Sequence, residues 1–281
     1  MPEMPEVEII RRYLDEKLVG RRIESVDIRL PRQLQYPSPA EFQALVTGQE
    51  IAGMRRRGKY LALELTSGAR VIFHLRMTGH LVYHTEPEIH DRYARMIFYL
   101  DKGALVYGDT RTLGVIYGLS ADETPATSPL LKGLATMGPE PLSAGFTAEY
   151  IYRKTRRSRM RIKSFLLDQH KIGGIGNIYA DEALFVARLS PFRLAMSLSE
   201  EECRRLQAAV NEVIAAGIAD GGTTFRDYLN GAGGQGHHQE KLNVYNRKGL
   251  PCPVCGTPIE KMTIGGRGAH FCPHCQAIPE A

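Results

Sequence analysis

Two groups of residues in this 281-residue chain have types and spacings that could do chemistry. The first is the opening Met1-Pro2-Glu3-Met4-Pro5-Glu6. Removal of Met1 would leave a secondary amine on Pro2 with the Glu3 carboxylate beside it. A free α-amine titrates near about 8, so part of it is neutral at pH 7 and can attack a carbon electrophile to give a Schiff base. Lysine amines, at about 10.4, are far less available. The same hexapeptide also suits an ordinary helix start, with Pro5 as the first helical residue and the glutamates at the positive end of the helix dipole. The second group is Cys252-Pro253-Val254-Cys255 and Cys272-Pro273-His274-Cys275, two Cys-x-x-Cys pairs separated by sixteen residues. That spacing lets two knuckles present Cys252, Cys255, Cys272 and Cys275 tetrahedrally to one zinc ion. A closed four-thiolate site has no open coordination position, so its expected role is structural, with His270 and His274 left outside the ligand set.

Between the cysteine pairs, Lys261 to Phe271 reads as a β-hairpin whose glycine-flanked tip carries Arg267, a guanidinium placed to meet phosphate. Gly173 to Glu182 reads as a glycine turn entering a helix, with Asn177 as the expected N-cap; glycines there let a phosphate approach backbone N–H groups. Upstream, Arg153 to Lys163 is a basic run with no acid in it, and Arg55 to Lys59 is a second basic knot. The net charge of +5 is mild by comparison, so distribution carries more than the sum. Five cysteines, four of them clustered and Cys203 alone, argue against a disulfide framework.

These groups need elements to position them. Val7, Ile10, Leu14 and Leu18 recur at helical spacing, and Gly20 is placed to end the helix. Strands are expected at Arg22 to Ile28, Tyr60 to Leu65, Ala69 to Met77, Ala94 to Leu100 and Ala104 to Tyr107, which suits an antiparallel sandwich or barrel. From Ser120 to Gly145 the composition shifts to small, polar and proline residues, as in a linker. Beyond it, Leu206, Val210, Val213, Ile214 and Ile218 follow a helical period after a capping box at Ser199 to Glu202. Gly231 to Gly236 lacks apolar residues and predicts a mobile loop. The opening has neither a basic n-region nor an apolar h-region, and no run of eighteen apolar residues occurs, so a cytoplasmic protein with no membrane partner is expected.

In order along the chain, MPEMPEVE, RRRGKYL, HLRMTGHL, MGPEPL, LLDQHKIGGIGNIYADEALF, GGTTFRDYLN, NVYNRKGLPCPVC and GGRGAHFCPHCQ make the sequence resemble the bacterial formamidopyrimidine-DNA glycosylase family, which includes endonuclease VIII. The resemblance covers nearly the whole chain. It implies an α+β multidomain fold: an N-terminal antiparallel β-sandwich with the opening helix, then a helix-two-turn-helix domain and a four-cysteine zinc-finger hairpin, with DNA in the cleft between. The expected divisions are 1–130 for the sandwich, 131–146 for a hinge, 147–240 for the helical DNA-binding domain with a lid over the lesion, and 241–281 for the finger. The implied partner is damaged double-stranded DNA, met by a monomer on the bacterial nucleoid, and the implied cofactor is one structural zinc.

The resemblance further implies Pro2 as nucleophile at the sugar C1′ carbon, displacing the damaged base and leading to β- then δ-elimination. Glu3 is assigned acid/base work around the sugar, which suits its place beside the amine. Glu6 is expected to order the helix start rather than transfer protons. Lys59, Arg267, Asn177 and Lys163 would hold phosphates. An extruded nucleotide leaves a gap in the stack, which Met77, Arg111 and Leu113 would fill; the family has an aromatic residue where Leu113 stands. The Thr223 to Tyr228 segment resembles a lid over oxidised purines, with His237 and His238 where aromatics are more usual. The implied activity is excision of 8-oxoguanine and formamidopyrimidines with abasic-site cleavage. The alternatives are the same chemistry on oxidised pyrimidines, and a non-catalytic DNA-binding homologue.

Overall fold

The computed structural model describes residues 2–86, 88–128, 131–225 and 228–277. They pack as two compact units: the chain up to Ala135 together with Ile218–Gln239, and Thr136–Gly217 together with the chain from Glu240. The expected 147–240 domain is therefore divided, because Ile218–Gln239 packs with the sandwich.

In the first unit, α1 (Met4–Leu18) starts from Glu3 as N-cap, with Pro5 in the first turn and a capping-box arrangement of Glu3 and Glu6. Its Val7, Ile10, Leu14 and Leu18 are all fully buried, each contributing about 1.5–3 kcal/mol through lost apolar exposure. They enter a core shared by two sheets. One sheet, in the order β1-β7-β8-β6, is built from β1 (Ile23–Ile28), β6 (Gly79–His84), β7 (Ala94–Leu100) and β8 (Ala104–Asp109). The other, in the order β2-β9-β5-β4-β3, comprises β2 (Leu34–Tyr36), β3 (Ile51–Arg57), β4 (Tyr60–Leu65), β5 (Arg70–His74) and β9 (Val115–Leu119). All pairings are antiparallel except β2 with β9, which is parallel. Phe73 on β5 meets Phe98 on β7 edge to face, with ring centroids 6.1 Å apart, joining the two inner faces. A short helix, α2 (Pro39–Val46), a 3-10 turn at Pro31–Gln33 and one turn of α3 (Lys132–Ala135) also belong to this unit.

The strand expected to run from Ala69 to Met77 stops at His74. Leu75–Gly79 is instead a tight turn closed by the Gly79 N–H to Leu75 carbonyl bond at 3.0 Å. A Cβ on Gly79 would lie 2.4 Å from the Leu75 oxygen, so the turn needs glycine there.

The second unit contains α4 (Ala148–Thr155), α5 (Ile162–Leu167), α6 (Asn177–Val186) and most of α7 (Glu200–Ala219), followed by the hairpin β10 (Glu260–Ile264) and β11 (Arg267–Phe271). The capping box before α7 forms as expected, with Ser199 and Glu202 exchanging backbone-to-side-chain bonds at 2.8 and 3.2 Å. The Met137–Pro139 stretch is not a slack linker. Gly138 N–H donates to the Gln169 carbonyl at 2.9 Å and Gly173 N–H to the Pro139 carbonyl at 3.0 Å, so it is packed onto the turn between α5 and α6.

Candidate active site and nucleic-acid interface

Pro2 and Glu3 are buried at the start of α1, and their position is set by Glu6. One Glu6 oxygen accepts the Glu3 N–H at 2.8 Å, and the other accepts the Thr223 N–H at 2.8 Å. Glu6 thus ties the helix start to the Ile218–Gln239 segment. That segment is not a featureless tether. Its ends meet through His238 N–H to the Gly222 carbonyl at 3.0 Å and His238 Nδ1 to Asp220 at 2.9 Å. Asn230 Oδ1 accepts the N–H groups of Ala232 and Gly234 at 3.0 and 2.9 Å, which organises the glycine loop. His238 is buried within this base, whereas Arg226 and Asp227 of the lid motif, like Met1, lie outside the described residues.

Lys59 follows Gly58 at the β3–β4 turn, where Gly58 takes a φ of 56°. Nearby His74 is held down to about 3 by burial and by the Arg76 and Lys59 cations, so its imidazole is neutral at pH 7. Arg76 N–H donates to His74 Nδ1 at 3.2 Å, which leaves the ring proton on Nε2. Cations of the Arg55 to Lys59 knot are engaged within the protein. Arg55 pairs with Glu64 at 3.2 Å and Arg56 with Glu8 at 2.9 Å. Burial works to raise the Glu8 carboxyl, but hydrogen bonds from Arg11, Arg12 and Arg56 outweigh it and hold the group at about 2.

Met77 and Leu113 sit on turns and are 41% and 45% exposed, which excludes a core role for either. Arg111 is likewise exposed, on the turn that carries Leu113. The residues preceding Met77 and Leu113, Arg76 and Thr112, both adopt a φ of 55° without being glycine. Such conformations concentrate where a loop is held for function.

In the second unit Asn177 is not the N-cap. Gly176 takes that position, and Asn177 Nδ2 instead donates to the Gly268 carbonyl of the finger hairpin at 3.0 Å. Lys163 is fully buried and also reaches that carbonyl, at 2.5 Å, while pairing with Asp181 at 2.5 Å. Its ammonium therefore faces α6 and the hairpin rather than solvent. Asp181 uses its other oxygen on the His270 N–H at 2.9 Å and His270 Nδ1 at 3.1 Å. Together these bonds lock β11 onto α5 and α6 beside Arg267, which is exposed at the hairpin end. The turn before α6 is pinned by Gln169, whose Oε1 accepts the Gly174 N–H at 2.8 Å while Nε2 donates to the Leu167 and Ile175 carbonyls at 3.1 and 2.9 Å. The basic run divides likewise. Arg156 and Arg161 bond the Leu198 and Phe192 carbonyls, while Arg153, Lys154 and Arg157 line a concavity with Lys171.

The four cysteine sulfurs all lie within 4.8 Å of one another, with Cys252 to Cys275 at 3.9 Å and Cys255 to Cys272 at 3.5 Å. A tetrahedral zinc with bonds of about 2.3 Å requires sulfur separations of about 3.8 Å, so the donor set fits that ion. Backbone N–H groups of Val254 and Cys275 point at the Cys252 and Cys272 sulfurs at 3.5 and 3.3 Å, as in a thiolate knuckle. Cys252 and Cys272 pack with Phe185, Val244 and Ile259. Glu182 of α6 fastens the entry to the finger, accepting the N–H groups of Asn243, Val244 and Tyr245 at 2.8–2.9 Å and the Asn243 side chain at 3.0 Å. Bound zinc supplies structural cross-linking and no open coordination site.

Gln169, Asp181, Glu182 and Asp109 were not singled out by motif spacing, because each acts on backbone groups that only the fold brings to it. Gln169, Asp181 and Glu182 all lie inside the LLDQHKIGGIGNIYADEALF stretch, and Asp109 opens the Asp-Thr-Arg-Thr-Leu-Gly run.

A buried Pro2 at the start of a β-sandwich, a helix-two-turn-helix turn and a four-thiolate finger define a zinc-finger DNA glycosylase. Residues 1–116 match the formamidopyrimidine-DNA glycosylase N-terminal domain, 137–228 the formamidopyrimidine-DNA glycosylase H2TH domain, and 249–278 the zinc finger found in FPG and IleRS. The formamidopyrimidine-DNA glycosylase of Pelotomaculum thermopropionicum is 44% identical over 279 residues, covering 99% of this chain and 100% of its own. Among solved structures, that of the Thermus thermophilus Fpg protein is 40% identical with a TM-score of 0.87, covering 99% of this chain and 100% of its own. Lactococcus lactis Fpg has been solved as a variant with DNA containing Fapy-dG (35% identical, TM-score 0.91) and with DNA containing an oxidised pyrimidine (34%, 0.89), each covering 99% of this chain and 100% of its own. The chain belongs to the formamidopyrimidine-DNA glycosylase family.

Proposed function

We propose that, once Met1 is removed, this chain excises oxidised purines, 8-oxoguanine and formamidopyrimidines, from duplex DNA and cleaves the resulting abasic site. The Pro2 nitrogen forms a bond to C1′ as the bond from C1′ to the damaged base breaks, and the base leaves with a proton. Opening of the sugar gives an iminium linking Pro2 to C1′. Loss of a C2′ proton then expels the 3′ phosphate, and a second elimination expels the 5′ phosphate. Glu3, adjacent to the amine, moves protons at the sugar. Lys59, Asn177 and Arg267 hold phosphates around the lesion, while Met77, Arg111 and Leu113 occupy the space that the extruded nucleotide leaves. Lys163 contributes at one remove, through the Gly268 carbonyl beside Arg267.

The observation that carries this reading is that the first residues are anchored rather than frayed: Glu6 fixes the Glu3 backbone at 2.8 Å, next to Pro2. A non-catalytic DNA-binding protein has no use for a fixed proline terminus. The oxidised-pyrimidine reading stands second, supported by the Lactococcus lactis Fpg complex of that kind. We place the activity in the bacterial cytoplasm, on nucleoid DNA, in a monomer. Among the described residues no helix is long and apolar enough to cross a membrane.

Borohydride trapping on duplexes carrying 8-oxoguanine, an oxidised pyrimidine or an abasic site, with protein shown by mass spectrometry to lack Met1, tests this. An adduct mapped to Pro2 on 8-oxoguanine supports the purine reading, and one confined to the oxidised pyrimidine moves the protein to the second. Intact binding with no adduct on any duplex sinks the catalytic reading.

A further inference from the structure

Asp109 is fully buried, and its carboxylate is shared between two turns. Oδ1 accepts the Thr78 hydroxyl at 2.5 Å and the Arg111 N–H at 3.2 Å. Oδ2 accepts the Gly114 N–H at 2.8 Å and the Gln33 side-chain amide at 2.9 Å. Thr78 directly follows Met77, while Arg111 and Gly114 bracket Leu113. The Thr78 oxygen also lies 3.1 Å from the Arg111 N–H, so the two turns are laced through one carboxylate and one hydroxyl. In β6 and β8 the register already sets Gly79 opposite Asp109, which is why both turns leave the sheet at the same edge.

With the Tyr107 hydroxyl, which donates to Oδ2 at 3.3 Å, five donors converge here, a demand that an acceptor-only ionised carboxylate can meet and a neutral amide cannot. Burial works to raise the Asp109 carboxyl, and the bonds from Thr78, Gly114, Gln33 and Arg111 outweigh it, holding the group below the ordinary carboxylate range. The tips themselves have little packing to place them, since Met77 and Leu113 project into solvent. Their geometry comes from the backbone of the two turns, each carrying a non-glycine residue at positive φ that must be held from outside.

We propose that Asp109 is a positioning residue that sets Met77, Arg111 and Leu113 in a single register, so that the three enter a duplex together. The proposal rests on the reading of those residues as gap fillers given above. A group that must enter the stack as a base leaves it has to be preorganised, and small misplacements are costly to rate.

The test uses a duplex with a tetrahydrofuran abasic analogue and 2-aminopurine opposite it, whose fluorescence reports side chains entering the stack on binding. Asp109→Asn keeps the shape but turns one acceptor into a donor facing N–H groups, and Thr78→Val removes one strut between the turns. Both are expected to slow the fluorescence change about tenfold, while affinity for undamaged duplex stays within about twofold. The analogue is not turned over, so the result does not depend on Pro2. Parallel excision of 8-oxoguanine by the parent protein shows separately whether the glycosylase reading holds. Parental kinetics in both folded variants overturn the proposal, as does a parent that gives no fluorescence change. Should Asp109→Asn fail to fold, Thr78→Val decides alone.

Discussion

Glu6 and Thr223 stand 217 positions apart and share a 2.8 Å hydrogen bond, with the Glu6 carboxylate accepting the Thr223 N–H. The same carboxylate holds the Glu3 backbone, so the residue next to the proposed nucleophile and the base of the lid segment answer to one buried side chain.

Replacing Glu6 by Gln puts an amide donor against one of those two N–H groups. The expected cost is about 1–3 kcal/mol of stability in the sandwich unit. Excision should fall at least about tenfold even where the protein remains folded, because the terminus loses its anchor. Chemical denaturation and single-turnover excision of 8-oxoguanine measure the two effects. Unchanged turnover would show that the anchor is dispensable.

Lys163 and Arg267 should differ in how they affect salt dependence. Arg267→Ala removes an exposed cation, and the slope of log affinity against log salt should drop by about 0.9 if it neutralises one phosphate. Lys163 is buried against Asp181 and the Gly268 carbonyl. Lys163→Met should therefore weaken lesion-DNA binding with the slope unaltered, and destabilise the second unit by about 3–5 kcal/mol by stranding Asp181. A slope change equal to that of Arg267→Ala would assign Lys163 a phosphate of its own.

Zinc removal should abolish tight DNA binding and leave the sandwich folded. Cys252 and Cys272 are packed against Phe185 and Val244, so the metal seats the hairpin that carries Arg267, and the sandwich has a core of its own. Chelation followed by titration with duplex DNA, with circular dichroism monitoring the sheet, checks this. Unchanged affinity after verified metal loss would refute it.

His74 predicts an acid sensitivity with a defined sign. Its folded value of about 3 lies below the ordinary 6.5, so the unfolded chain binds the extra proton between those values. Stability is fully present above pH 6.5 and falls as pH drops towards 3, by on the order of 3–5 kcal/mol in all. Half-buried His84 is shifted the same way by desolvation and adds to the effect. Glu8, held at about 2 against an ordinary 4.5, adds a loss only below about 4.5. His74→Asn should flatten the stability profile between pH 6.5 and 4.5, as denaturant melts across that range would show.

Local pattern made parts of this molecule legible. Alternation marked Tyr60–Leu65, and the 3.6-residue period marked α1 and α7, because one face of each is buried along its whole length. Three successive arginines hid β3, where Arg55 is balanced by Glu64 and Arg56 by Glu8 from neighbouring elements. The cysteine spacing announced the metal site, since its ligands are near in sequence. The resemblance implies a phosphate for Lys163, whereas its partner Asp181 is one helix further on, and only the packing of α5 on α6 brings the two together. Asn177 lost its capping role to Gly176 for a similar reason, the Gly268 carbonyl offering its amide a partner from the hairpin.

The Glu182 clasp has a bearing on how the finger is assembled. It belongs to α6, and its four bonds grip residues 243–245 before the first cysteine is reached. The metal therefore joins a chain whose approach is already moored, so that only the short cysteine-bearing stretch has to find its shape on loading. Stripped protein given back its zinc should recover on the timescale of closing that stretch, with no need to rebuild the helices beneath it.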